Sequence, residues 1–477
     1  MRLRNTLCIL FATLLSVTMT MAQQPAKSSQ ALYKELQELQ KKRLPTQTLS
    51  CAERLATQAL REGNLYYTIE ALEAHETALQ RLDYNRRLEQ FPLLHTTWQG
   101  RDKLSERDQR FLALYIANQY ISRSYNQSFR SEGLSLTTQE QDSVTPRYWN
   151  DADYMKAIDP LMEIAFAPSA ELYKVIPRQE AKQLSAELYA DQFPKEGNYT
   201  LISHLLKTLP LSQLQRLEQK LGRTPSWSDR LGALITEDQL QQADEGARLY
   251  ALYQAVTLEE TTRGTASSTV AKRLEGLLQQ SQQMHLETME IYKRLFQYYY
   301  ANGSDPLRAY HFITPYLEWL DKQGKYPEFC QDIRRQLFTP QESISLTSFI
   351  LADHRGMVKM RLANVERLEL KLFALTPQDA IKAERETIPE QAKLVWSHTY
   401  QGKQGLEAMV HQSDSIELPT LPTGHYRLQV VSHRTAEAKQ IKYEKKTKTF
   451  AYDCTVSDLW TLALGNGTTQ LLNALTG

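Results

Sequence analysis

Cysteine is scarce and scattered. The chain holds four in 477 residues, Cys8, Cys51, Cys330 and Cys454. No two stand at C-x-x-C spacing, which excludes a disulfide framework and a cysteine-built metal centre. Charge of one sign is missing too. The 56 Lys+Arg nearly cancel the 55 Asp+Glu, so no net field draws the protein to nucleic acid or to an anionic membrane. G-x-S-x-G, the P-loop and G-x-G-x-x-G are all absent, which removes the common signatures of a hydrolase elbow and of nucleotide binding. Past the first residues no apolar run approaches the roughly 18 residues of a membrane span. What remains is ordinary globular material. With 42% hydrophobic and 23% charged residues, there is enough to build packed cores over two to four domains.

The N-terminus carries the first positive signal. Arg2 and Arg4 precede the apolar Leu7–Val17, and Thr20-Met21-Ala22 places small residues at a cleavage position before Gln23. This is the pattern of a secretory signal peptide, residues 1–22, and it predicts export to the periplasm, the cell envelope or the medium. Cys8 lies inside the apolar run, not just after it, which argues against a lipid-anchored cysteine. Cleavage leaves Cys51, Cys330 and Cys454, an odd number, so at least one thiol stays free or pairs with another chain.

Residues 23–340 read as an α-helical array. Leu32, Leu36 and Leu39 recur at helical spacing within Ala31–Lys42. The same habit predicts helices over Leu49–Arg61, Tyr67–Leu82, Glu106–Ser124, Ala152–Ala167, Gln179–Gln192 and Tyr199–Lys207. It predicts further ones over Leu211–Leu221, Thr236–Leu258, Val270–Tyr300, Pro306–Gln323 and Glu328–Leu337. Breaks are expected at prolines and glycines such as Pro45, Gly63, Pro92, Pro177 and Pro327. Ala59–Gly63, with Ala71 and Ala78, resembles a tetratricopeptide repeat, but no period near 34 residues recurs, so the expectation is a solenoid or irregular array. The polar stretch 127–149 marks a loop or a sub-boundary.

After Pro340 the apolar period falls to two. Val358, Met360 and Leu362 alternate with Lys359 and Arg361; Leu368, Leu370 and Leu372 follow the same rhythm. Trp396, His398 and Tyr400, then Ile416 and Leu418, then Tyr426, Leu428 and Val430 continue it. About seven such strands predict an antiparallel β-sandwich over 341–453. Phe450–Val456, Leu459–Leu464 and Thr469–Leu475, with a turn at Gly465–Gly467, predict a hairpin. Residues 454–477 are therefore expected to be the incomplete start of a second β domain, since two or three lone strands are marginal in water.

Candidate chemistry is thin. His75-Glu76-Thr77-Ala78-Leu79 begins like H-E-x-x-H, but Leu79 occupies the place of the second zinc ligand, and Glu76 reads as a surface helix charge. Cys51-Ala52-Glu53-Arg54 falls short of a Cys-x-Glu-Gln thioester because Arg54 stands where glutamine must supply the acyl carbon. His398, His411, His425 and His433 show no ligand spacing. Glu259-Glu260 reads as a solvated helix face. Lys439–Lys448 reads as a charged edge or hairpin strand, and Phe296–Tyr300 as a helix end packed on its neighbour. No catalytic, cofactor-binding or metal-binding residue is predicted, and none of this amounts to an enzyme.

Arg361–Val365 with Leu368–Leu375, Ile416–Leu428 (IELPTLPTGHYRL), Val456–Leu459 and Leu472–Gly477 (LNALTG) resemble the strand motifs of macroglobulin-type β domains. The signal peptide and the helical region around Tyr33–Leu60 resemble the start of bacterial α2-macroglobulin-like proteins. The resemblance implies a macroglobulin-like sandwich, the opening of a second one, and the N-terminal scaffold of a longer secreted endopeptidase inhibitor that traps target proteases. Thioester and bait region are not expected in this chain. The alternative is a stand-alone periplasmic helical-repeat scaffold that binds a protein partner. Both readings expect protein partners and no nucleic acid.

Overall fold

The computed structural model describes residues 27–126, 146, 149–177, 197–302, 304–382, 387–441, 447–464 and 468–473. The signal peptide expected over residues 1–22, the helix expected over Gln179–Gln192, most of 127–149, the turn expected at Gly465–Gly467 and the last four residues lie outside them. The residues up to Ile291 and those from Tyr292 form separate compact units. The first is chiefly helical; the second carries antiparallel and mixed sheets behind its helices. Among the described residues no helix is long and apolar enough to cross a membrane.

The first unit opens with three helices joined by tight turns: α1 (Ser29–Lys41), α2 (Pro45–Arg61) and α3 (Leu65–Leu82). Ser28 caps α1 by accepting from the Ala31 N–H, and Asn64 caps α3 by accepting from the Tyr67 N–H. Between α2 and α3, Gly63 sits at φ +68° with the Lys103 carbonyl 3.0 Å from where a Cβ would be, so both backbone and space require glycine. Small side chains let these helices approach closely: Ala52, Ala56, Ala71 and Ala74 pack with Leu32, Leu36, Cys51 and Leu55.

Proline accounts for several displaced boundaries. α2 starts at Pro45 instead of Leu49, and Pro92 stands in the first turn of α4 (Phe91–Gln99), a helix the periodicity did not announce. At the first turn the missing N–H has no intrahelical partner anyway, so proline begins a helix there and does not end one. α5 (Glu106–Asn126) and α6 (Asp151–Ala165) then contribute to a large core with Phe91, Leu112, Ile116, Tyr154, Ile158 and Met162.

The expected helix Tyr199–Lys207 is corrected. Asn198–Thr200 (β2) pairs antiparallel with Val175–Pro177 (β1), and α7 (Leu201–Thr208) starts only after Thr200, whose hydroxyl accepts from the Ser203 N–H. Helices α8 (Leu211–Lys220) and α9 (Trp227–Ala233) follow, the second opened by a Ser226–Asp229 capping box. The span Thr236–Leu258 is helical only from Glu245, as α10 (Glu245–Arg263). The span Val270–Tyr300 divides into α11 (Ser267–Gln280) and α12 (Met289–Gln297), the latter ending in a wide turn over Tyr298–Asn302. The carboxylate of Glu245 accepts from the Gln282 N–H at 3.0 Å and meets His285 Nε2 at 3.0 Å, tying the segment between α11 and α12 to the start of α10.

In the second unit α13 (Pro306–Gln323) and α14 (Pro327–Phe338) precede the strands. The compact unit thus begins near residue 292, ahead of the change in periodicity at 340. β3 (Gln341–Leu346), β5 (Met357–Ala363) and β8 (Gln412–Glu417) form one sheet in the order β3-β5-β8. β4 (Phe349–Leu351), β6 (Val365–Leu375), β7 (Lys393–Gln401), β9 (Gly424–Arg434) and β10 (Thr447–Ser457) form another, ordered β4-β10-β9-β6-β7. The two share one core: Val358, Met360 and Leu362 from the first, Leu368, Leu370, Leu372, Leu428, Val430 and Val456 from the second. The larger sheet is not wholly antiparallel, because β4 runs parallel to β10. The chain leaves the first sheet after β3 and crosses to the second at Ser348, whose carbonyl accepts from Thr455 N–H at 2.9 Å. A short helix α15 (Pro377–Lys382) follows β6, and β11 (Leu459–Leu464) pairs with β12 (Thr468–Asn473).

A single residue joins β5 to β6 and switches sheets. Asn364 is buried at φ +57°. Its N–H donates to Ala408 O at 2.6 Å, its carbonyl accepts from Thr435 N–H at 3.3 Å, and its side-chain amide donates to Leu337 O at 2.8 Å and Thr339 O at 3.2 Å. Replacing Asn364 by Ala removes both side-chain bonds and strands two carbonyls, at a cost of about 2–4 kcal/mol. Asn364→Asp, which points a carboxylate at those carbonyls, is expected to cost more. Urea unfolding of the second unit, followed by amide exchange of β6 and β9, checks the order Asn, Ala, Asp in falling stability.

Candidate functional site

The residues singled out in the sequence do not converge. His75 is buried on α3 with Nε2 3.6 Å from Glu53, and burial lowers its pKa. Glu76, expected as a surface charge, is largely covered: it pairs with Arg87 at 2.8 Å and accepts from the Gln80 amide at 3.0 Å. Cys51 is buried in α2 and its thiol donates to Leu32 O at 3.6 Å, while the neighbouring Arg54 pairs with Glu35. Among the described residues no cluster of three His, Cys, Asp or Glu could hold a metal ion.

The remaining candidates resolve into packing or surface. Glu259 forms an ion pair with Arg273 across two helices. Phe296 and Tyr299 are buried; Tyr299 meets Phe312 edge-on at 5.2 Å, and Tyr300 donates to Gln336 O at 2.7 Å, so the aromatic run is helix-end packing. His398 stacks parallel to Trp396 at 5.9 Å, His425 Nδ1 lies 3.1 Å from Thr455 Oγ1, and His433 Nε2 lies 2.9 Å from Glu369. His411 is exposed, and partial burial with Arg361 nearby lowers its pKa. In the basic run, Lys439 pairs with Glu366 at 2.9 Å; Lys442, Lys445 and Lys446 lie outside the described residues. Only the end of the run is strand: Lys439 lies in the 3-10 turn Ala438–Gln440, whereas Lys448 stands on the part of β10 that β4 does not flank, with its Nζ 4.7 Å from the Phe450 ring centre.

What the geometry does build is a rigid β framework, and its most ordered polar groups are structural. The stretch Ile416–Leu428 supplies the end of β8, a corner and the start of β9. Leu418 and Leu421 enter the core, and the Tyr426 hydroxyl donates to Pro422 O at 2.7 Å. This is a tyrosine corner, in which a ring at the start of a strand bonds back to the turn just before it. Between the sheets, Glu342 on β3 and Arg434 on β9 form a buried ion pair at 3.1 Å, with Ser432 Oγ donating to the same carboxylate at 2.7 Å. Arg427, fully buried, forks onto Asp453 at 2.6 and 3.0 Å and donates to Thr387 O at 2.7 Å. The sequence reading did not assign these groups. Gly-x-Tyr after Leu-Pro is a local signal for the corner; the Glu342–Arg434 pair has none, because its members lie far apart in the chain.

No family model matches the chain, and no curated protein matches it. Among solved structures, the alkylpurine DNA glycosylase AlkC of Pseudomonas fluorescens, bound to DNA containing an abasic-site analogue, aligns with 90% of this chain and 99% of its own at 11% identity, with a TM-score of 0.14. So low a score transfers neither fold nor activity.

Two measurements test this picture. Tyr426→Phe deletes one buried hydrogen bond and leaves the ring, so the second unit should lose about 1–2 kcal/mol in urea unfolding without change of fold. The thiols of Cys51, Cys330 and Cys454 are all buried, and desolvation raises them, Cys330 to about 11 and Cys454 to about 12. A chromogenic disulfide reagent at pH 8 should therefore titrate none of the three in the folded chain and all three in denaturant.

Proposed function

We propose that this chain is the scaffold portion of an exported α2-macroglobulin-like endopeptidase inhibitor, a protein that acts by trapping proteases. The observation that carries the reading is where the motif residues fall. Asn364 of the Arg361–Val365 stretch makes the sheet-switching link, Leu418, Leu421 and Tyr426 of IELPTLPTGHYRL form the corner and core, and Val456 of Val456–Leu459 closes the core before the chain passes into β11. A resemblance built on degenerate motifs gains weight when its residues prove to be the ones the domain is built on. Three strands facing five around one core, with β4 running parallel to β10, fit the macroglobulin-type sandwich this reading expects.

On this reading the chain contributes geometry, not chemistry. The family's stacked β domains surround a bait segment whose cleavage collapses the assembly onto the protease, and the thioester of many members acts as an electrophile toward it. Neither element is expected in this chain. Its share would be a stiff sandwich, a helical region before it, and a hairpin continuing from its last strand. The exported location is part of the same proposal.

The test starts from the native protein in the cells that make it. An immunoblot raised against residues 31–337, with peptide mapping of the band, gives its size; the purified protein is then mixed with an endopeptidase. Trapping predicts that cleavage of a small chromogenic peptide persists while digestion of a large protein substrate falls several-fold. Undiminished digestion of both substrates overturns the proposal and leaves the stand-alone binding scaffold as the reading to pursue.

A further inference from the structure

The sheet edges of the second unit are protected unequally. β3 and β8 carry Glu342, Asp414 and Glu417, and β4 is only three residues long. Charge and brevity both discourage pairing with another chain. β7 has neither device. It runs nine residues, its one charge is Lys393 at the start, and Leu394–Gln401 (LVWSHTYQ) contains no charge and no proline. Among the described residues it ends the sheet order and pairs only with β6. Leu394 is 48% exposed and Val395 39%, so apolar surface as well as backbone is open there.

The register within β7 narrows the choice of partner. From Trp396 to Gln401 it pairs with β6 without interruption, and the irregularity falls at Val395. The regular part centres on His398. We propose that β7 is a homodimerisation edge, onto which a second copy of this chain adds its own β7 antiparallel about a two-fold axis through His398. Set against itself in that register, the strand places Trp396 opposite Tyr400 and Ser397 opposite Thr399. These are an aromatic pair and a hydroxyl pair, two of the cross-strand classes that stabilise antiparallel sheets. No like charges meet anywhere in Leu394–Gln401. Trp396 and Tyr400 are half-buried against the core and lie on the face of β7 opposite Leu372 and Leu368. The second copy's aromatics therefore extend an apolar strip already present. An arbitrary extended peptide would match the backbone but would not supply both pairs, and the symmetry makes every contact occur twice. Two five-stranded sheets become one. The proposal does not depend on the protease-trapping reading.

The experiment uses the chain from Gln23 to Gly477. Sedimentation equilibrium should show reversible dimerisation in the micromolar range. His398→Lys sets two ammonium groups face to face on the axis and should weaken association about tenfold or more, with the melting temperature of the monomer unchanged. His398→Cys tests the axis without an added charge. Directly opposed residues lie about 4.5–5.5 Å apart between Cα atoms, within bridging range, so mild oxidation should yield a covalent dimer. Ser415→Cys on the β8 edge is the control, and the three native thiols are buried. A monomer at high micromolar concentration overturns the proposal. So does a dimer that His398→Lys leaves intact, or cross-linking of His398→Cys no faster than the control.

Discussion

Asn364 is the constraint on which the second unit turns. β5 and β6 belong to different sheets, yet one residue connects them, so the chain must reverse and cross the core in a single step. A left-handed backbone permits that step, and asparagine tolerates it better than other residues with a side chain. The same amide then answers a separate problem. α14 ends at Phe338, and its last carbonyls have no intrahelical partner; Asn364 takes those of Leu337 and Thr339. Its main chain meanwhile joins the Gly405–Met409 turn and the segment after β9. Three parts of the chain distant in sequence thus meet at one buried residue. Gly402 follows from the same crowding. A Cβ there would stand 2.1 Å from the Val365 carbonyl, while the Gly402 N–H donates to Glu366 O at 2.9 Å.

Beside this link lies the Glu342–Arg434 pair. A buried ion pair rarely stabilises more than an apolar replacement would, because desolvation offsets most of the attraction. This one gains the Ser432 hydroxyl as a further partner, and it connects β3 of one sheet to β9 of the other. Its consequence is register. Slipping either strand by a residue would turn its charge out of the space between the sheets and leave the partner buried there unpaired.

The two periods were legible in the sequence because burial enforces them. Leu32 and Leu36 lie on one helical face, and Val358, Met360 and Leu362 alternate with Lys359 and Arg361 because only one side of each element meets the core. What was not legible depends on distant partners. Nothing local between Gln280 and Met289 reveals that Glu245 binds the segment there, and Thr200 gives no sign that Val175–Pro177 pairs with the strand it closes. Pro45 and Pro92 misled because proline both ends and begins helices. The parallel pairing of β4 is a long-range outcome of a sheet switch that alternation cannot encode. In the candidate sites the roles of Asn364 and Arg427 required coordinates, because their partners lie far away in the chain.

The three buried thiols bear on where such a protein can work. An unpaired cysteine in an oxidising compartment exchanges with other disulfides when its thiolate is populated and exposed. Cys51, Cys330 and Cys454 are each within 2% of full burial, and desolvation disfavours the thiolate in every case. An odd number of cysteines is therefore compatible with the export proposed here, because packing withholds the sulfur from the reagents outside. The same economy runs through the second unit. Cys454 sits two residues before Val456 on the inward face of β10, and Asp458 alone separates β10 from β11. The Ser457 hydroxyl accepts from the Leu459 N–H at 3.0 Å across that junction. One residue and one hydrogen bond thus connect β11 to the strand whose inward side chains, Cys454 and Val456, are held in the core, so the same short stretch that withholds a thiol from solvent also leaves no room for a linker.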